Sequence, residues 1–124
     1  MMWKAIDAGP EGGPPFSPAV EANGLVFVSG QASVDETGAI VPGTFEDEMR
    51  RSIENLVRVL AAAGAELSDA CRVSAYVRDP ANLARYNEIY REYFTEPYPA
   101  RTTLTGCLPE SIHFEIDAVA VRRD

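Results

Sequence analysis

P-A-R-T-T-L-T-G-C-L-P-E-S-I-H-F-E-I-D-A-V-A-V, residues 99–121, is the stretch that decides how this chain is read. It joins a Thr-rich β-like run at 101–105 to an alternating run at 114–121 across a loop at 106–111. In the second run Phe114, Ile116, Ala118 and Ala120 fall on one face, while Glu115 and Asp117 share the other with Val119 and Val121. A strand whose outer half is apolar on both faces belongs in the middle of a sheet, and its second face must itself be covered. Each run also carries one buriable charge, Arg101 and Glu115. An arginine entering a strand from a Pro-Ala corner presents a planar fork of donors that matches a carboxylate bidentately, a geometry lysine does not copy. Arg101 is therefore the candidate holder of a small metabolite's acid group. The competing reading is a salt bridge between subunits.

Upstream, residues 3–6 read as a short edge strand, and the Gly- and Pro-rich segment at 9–16 reads as a loop. Residues 19–22 and 25–28 flank Asn23-Gly24, which predicts a tight hairpin. Ser29-Gly30-Gln31 interrupts the second strand, as a bulge or as a wall that a substrate can approach. Residues 31–34 and 39–41 flank a further turn at 35–38. Thr44 with Asp47 three residues on opens a helix whose apolar stripe is Phe45, Met49, Ile53, Leu56, Val57 and Leu60, stopped by Gly64. After a β-like run within 69–77, Asp79-Pro80 supplies a cap and a first-turn proline. Leu83, Tyr86, Ile89, Tyr90, Tyr93 and Phe94 then form a second stripe, ended by Pro97. Both helices have a single apolar face, so both cover the same side of a sheet: an α+β layout in one domain, residues 1–124. The other side is left for another copy of the chain, a symmetric homo-oligomer.

The bulk numbers exclude several classes. A net charge of -8 with scattered basic residues argues against binding a nucleic acid backbone. Arg122 and Arg123 read as a solvated end. No apolar run approaches the length that spans a bilayer and no signal segment opens the chain, so the expectation is a cytoplasmic protein. Cys71 and Cys107 lack metal or redox spacing and read as buried or half-buried free thiols. His113, the only histidine, reads as a surface strand residue rather than the centre of a zinc site or a triad.

P-F-S-P-A-V (15–20), N-G-L-V-F-V-S-G-Q (23–31), Y-N-E-I-Y-R-E-Y-F (86–94), P-A-R-T-T (99–103), L-P and F-E-I-D-A-V-A-V occur in the order in which they stand in one family. Together they resemble the RidA (YjgF) family of reactive imine and enamine deaminases. The resemblance runs from about Pro15 to Arg123 and so covers most of the chain. It implies a chorismate-mutase-like subunit, with a mixed sheet carrying two helices on one face, in a homotrimer with sites in the clefts between subunits. It also implies hydrolysis of 2-imino acids such as 2-iminobutanoate and 2-iminopropanoate to 2-oxo acids and ammonia, without metal or cofactor. Carried over by motif, Arg101 binds the substrate carboxylate and Glu115 orients water or transfers protons. Phe16, Ser29, Gly30, Asn87, Thr102 and Thr103 line the pocket. Phe16 stands where a tyrosine is common, Thr103 where a cysteine is common, and the loop after Thr105 is one residue shorter than the usual form. These differences bear on substrate choice and turnover. Two further functions stay open: a non-catalytic module that binds 2-oxo acids and regulates a partner, and a deaminase for one pathway's enamine.

Overall fold

The computed structural model describes residues 2–6 and 13–123, so only the last four residues of the segment at 9–16 are placed. Strand β1 (Lys4–Ile6) lies at the sheet edge against β2 (Ala19–Ala22). Asn23 and Gly24 take φ of 52° and 79°, the consecutive left-handed pair that a tight hairpin turn requires, and β2 folds back on β3 (Leu25–Gln31). Pairing slips between Val28 and Gln31, so Ser29-Gly30 is a bulge. The turn at 35–38 is present, with Asp35 Oδ1 accepting from the Thr37 and Ala39 N–H groups at 2.9 and 3.1 Å. Its flanks meet at one bridge, Val34 to Ile40, and the Asn55 side-chain amide donates to the Ala32 and Val34 carbonyls at 2.9 and 3.0 Å.

Helix α1 (Phe45–Ala62) begins where predicted, its Thr44 cap accepting from the Asp47 N–H at 3.1 Å, with three acids in the first turn favoured by the helix dipole. Its stripe is as read except at one position. Val57 is 39% exposed and Val59 is buried instead, since Val59 continues the row of Leu56 and Leu60 while Val57 lies to one side of it. Strand β4 (Ala70–Val77) follows. Asp79 then accepts from the Ala81 N–H at 2.9 Å, and Pro80 opens a single 3₁₀ turn leading into α2 (Leu83–Tyr93). Strands β5 (Ala100–Thr105) and β6 (Phe114–Val121) complete one six-stranded sheet in the order β1-β2-β3-β6-β4-β5, mixed because β5 alone runs parallel to its neighbour. Phe45 of α1 and Tyr86 of α2 both meet the ring of Phe114 on β6, at 6.1 and 6.0 Å between centroids, which puts the two helices on the same face. The opposite face is open, with Phe27, Leu104 and Val121 exposed.

The C-terminal arginines are not a free solvated end. Arg122 pairs with Glu21, and Arg123 with Glu66 and Asp69 at 3.0 and 2.8 Å, tying the end of β6 to the hairpin and to the turn before β4. In urea unfolding, Leu56→Ala is expected to cost about 3 kcal/mol because the side chain is wholly buried, whereas Val57→Ala costs less than about 1 kcal/mol.

Candidate functional site

Arg101 stands beside Val73 in the parallel β5–β4 pairing, and Val73 faces the helices, so the Arg101 side chain rises on the helix side of the sheet. There its Cζ lies 4.9 and 4.7 Å from the ring centroids of Tyr86 and Tyr90, which are one turn apart on α2. Such contacts are worth about 1 kcal/mol each and hold the guanidinium in place without an ion pair. Both rings are nearly fully buried. Tyr90 stacks on Phe94 at 4.2 Å, and the hydroxyls of Tyr86 and Thr103 are 2.8 Å apart. Burial, and secondarily the neighbouring Tyr86, pushes the Tyr90 hydroxyl up to about 12 against the opposing pull of Arg101. Arg101 forms no ion pair among the described residues. It lines a cleft of about 250 Å³ with Asn87, Tyr90, Arg91, Tyr98 and Pro99. That volume is below the roughly 300–1,000 Å³ of drug-sized sites and suits a small metabolite.

Glu115 lies on the other face. It is paired with Tyr76 across β6 and β4, on the side away from the helices, and is half-buried. A Cβ built on Gly30 comes 2.5 Å from Glu115 Oε2, so the bulge read from the glycine is the space that this carboxylate occupies. Burial, and then the charge of Asp117, raises the Glu115 carboxyl above its ordinary value. Asp117 is held by Tyr76, whose hydroxyl donates to its Oδ2 at 2.8 Å. Thr102 faces the same side and accepts from Arg72 Nη2 at 2.6 Å. Ser29 and Phe16 line a separate, largely apolar groove of about 440 Å³ with Trp3, Val20 and Phe27.

The predicted residues therefore fall into two groups. Arg101 and Asn87 line the helix-side cleft at the β5 edge, with Thr103 on the same side of the sheet against Tyr86; Glu115, Gly30, Ser29 and Phe16 lie on or toward the open face and the β1 edge. Three strand spacings, roughly 14 Å, separate β3 from β5, and the sheet itself separates Arg101 from Glu115. Two readings are corrected. His113 is not on a strand: it precedes β6, where its Nδ1 and backbone N–H meet the buried carboxylate of Glu48 at 2.5 and 3.0 Å. Cys71 and Cys107 are free but exposed, since neither faces the core. Tyr86, Tyr90, Arg91 and Tyr98 join the site only in the fold. For the first two the sequence signal is the four-residue spacing of tyrosines on α2, which reads equally well as core.

The raised Glu115 carboxyl has a definite sign. In the folded chain it holds its proton to higher pH than in the unfolded one, so its contribution to stability is present below the usual glutamate range and is lost as pH rises through the raised value. Glu115→Gln, which has no proton to lose, is expected to gain melting temperature relative to the parent as pH rises above the usual glutamate range, measured by calorimetry at fixed salt.

The family model described as Endoribonuclease L-PSP matches residues 7–122. A RutC family protein of Pyrococcus horikoshii is 39% identical over 110 residues, covering 87% of both chains. The 2-iminobutanoate/2-iminopropanoate deaminase of Mus musculus is 33% identical over 110 residues, covering 87% of this chain and 82% of its own. Among solved structures, E. coli TdcF with bound serine superposes with a TM-score of 0.83 at 33% identity, over 97% of this chain and 99% of the other. The order of the motifs, the mixed sheet and these likenesses converge: the chain belongs to the RidA/YjgF family.

Proposed function

We propose that the chain hydrolyses 2-imino acids to 2-oxo acids and ammonia, in a cleft that two copies of the chain build together within a homotrimer. The observation that carries this reading is that Arg101 reaches a small cleft, stacked on two tyrosines, with no protein anion among the described residues to neutralise it. A guanidinium so held is set to take a carboxylate through two parallel N–H donors. The acid that the chemistry needs, Glu115, lies across the sheet in the same chain. The open face that carries it is the one a neighbouring copy covers, bringing one copy's Glu115, Gly30, Ser29 and Phe16 to the next copy's Arg101, Asn87, Thr102 and Thr103.

In that arrangement a protonated imine, already electrophilic at C2, is fixed by its carboxylate on Arg101 next to a water oriented by Glu115. Water adds to C2, forming the C–O bond as the C=N π pair moves onto nitrogen. A proton passes from the added oxygen to nitrogen through Glu115; the C–N bond then breaks with its electron pair on nitrogen as the C=O forms, the remaining hydroxyl proton passes by the same carboxylate to the departing ammonia, and the 2-oxo acid and ammonium leave. The raised pKa of Glu115 favours this relay, because it brings the carboxyl closer to working pH. Relatives in Mus musculus and Dermatophagoides farinae that bear the name 2-iminobutanoate/2-iminopropanoate deaminase support the substrate class. The description Endoribonuclease L-PSP attached to the family model finds no support in a chain of net charge -8.

The test generates 2-iminobutanoate in situ with an amino-acid oxidase and follows its loss. Arg101→Ala and Glu115→Gln are each expected to lower kcat/KM by about 100-fold or more. Co-refolding equal amounts of the two variants is expected to restore about a quarter of wild-type activity, since one interface in four then joins an unmutated Arg101 to an unmutated Glu115. Absence of any recovery sinks the shared cleft. Binding of 2-oxobutanoate without turnover favours a carboxylate-binding module instead. Gly30→Ala is expected to keep the fold, as only the flexible end of Glu115 must move, and to lower kcat with little change in KM.

A further inference from the structure

The chain has ten arginines, and eight of them donate to an oxygen of the protein. Arg50, Arg85, Arg122 and Arg123 each meet a carboxylate. Arg51, Arg58, Arg72 and Arg78 each hydrogen-bond to a hydroxyl, amide or backbone oxygen. The two that have no such partner among the described residues are Arg91 and Arg101, and both line the same cleft. Among the described residues no carboxylate lines it with them. The acids nearest Arg91 along α2 are turned elsewhere: Glu88 toward Arg85 at 3.9 Å and Glu92 toward Arg50 at 2.9 Å. In a chain of net charge -8, two unneutralised guanidiniums facing one small cavity form a local positive pole built for an anion of more than one charge.

Local geometry supports a division of labour between them. Asn87 and Arg91 are four residues apart on α2 and so share the helix face that overlooks the cleft. Tyr86 and Tyr90, offset by one residue, form the adjoining buried face beneath Arg101. Arg101 is thus fixed by its two rings at the strand end of the cleft, while exposed Arg91 stands at the helix end with Asn87 one turn before it. A ligand with an acid group at each end spans the two.

We infer that Arg91 is a specificity-determining residue and that the preferred substrates are 2-imino dicarboxylic acids of four or five carbons, with the C1 carboxylate on Arg101 and the distal carboxylate on Arg91. The inference rests on the imine-deaminase reading of the same cleft. The reaction is unchanged: water adds to C2, nitrogen leaves as ammonium, and the product is a 2-oxo dicarboxylate. The distal carboxylate takes no part in bond making, so its contact with Arg91 acts in binding.

The test compares two imines made in situ, 2-iminosuccinate from aspartate and 2-iminobutanoate from 2-aminobutanoate, each with its own oxidase. Wild type is expected to show the higher kcat/KM on the dicarboxylate. In Arg91→Gln the ratio of the two kcat/KM values is expected to fall about tenfold, chiefly through KM for the dicarboxylate, and Arg91→Lys to recover part of it. Added salt is expected to weaken the dicarboxylate more than the monocarboxylate. Hydrolysis of 2-iminobutanoate with a ratio that Arg91→Gln leaves untouched overturns this inference and leaves the deaminase reading standing. Titration calorimetry with 2-oxoglutarate against 2-oxobutanoate reads the preference without turnover. A dicarboxylate preference lost in Arg91→Gln, in a protein that hydrolyses neither imine, overturns the deaminase reading and keeps the two-arginine site. A wild type that binds both oxo acids equally overturns the inference.

Discussion

The two-residue repeat of β6 governs the arrangement of everything else. Because the strand lies between β3 and β4, its neighbours on both sides must follow its alternation, and its odd and even side chains are committed to opposite faces of the whole sheet. Phe114, Ile116, Ala118 and Ala120 build the floor on which both helices rest. Glu115 and Asp117 are by the same rule sent the other way. A one-residue slip would bury two carboxylates under α1 and expose the aromatic floor, so the register that secures the core also fixes the face on which these two carboxylates stand.

The helix side carries its own chain of dependence. Phe45, Phe114, Tyr86, Tyr90 and Phe94 run as a continuous series of ring contacts from the start of α1 to the end of α2, and Arg101 caps the middle of that series. Aromatic packing thereby does for the arginine what an ion pair does elsewhere: it sets the position without consuming the charge. Tyr90 keeps a buried hydroxyl with no hydrogen-bond partner among the described residues, an uncompensated polar group at the centre of an otherwise apolar series.

Much of this was legible in the sequence, for identifiable reasons. The alternation of 114–121, the Asn23-Gly24 turn, the Thr44 cap and the two helical stripes are local signals, and each is realised close to where it was read. The motifs that carry the family resemblance named Arg101, Glu115 and Gly30. The spatial relation among these residues was not legible, because a strand's partner and face depend on its neighbours: nothing within 99–121 says that β5 runs parallel to β4 and presents Arg101 to α2. His113 and the cysteines were misjudged for the same reason. The partner of His113 is Glu48, 65 residues away, and a buried glutamate on a helix looks in sequence like any surface acid.

Gly30 carries a consequence for how such a protein can change. Its φ lies outside the left-handed range, so other residues are tolerated by its backbone, and the nearest atoms in the way are the end of one glutamate. A single added methyl group therefore evicts the acid while the fold and the arginine cleft remain intact. On the hydrolytic reading proposed above, descendants of this sequence stand one nucleotide substitution from a form that grips a metabolite and leaves it chemically untouched, a short route by which a gene duplicate can pass from catalyst to sensor.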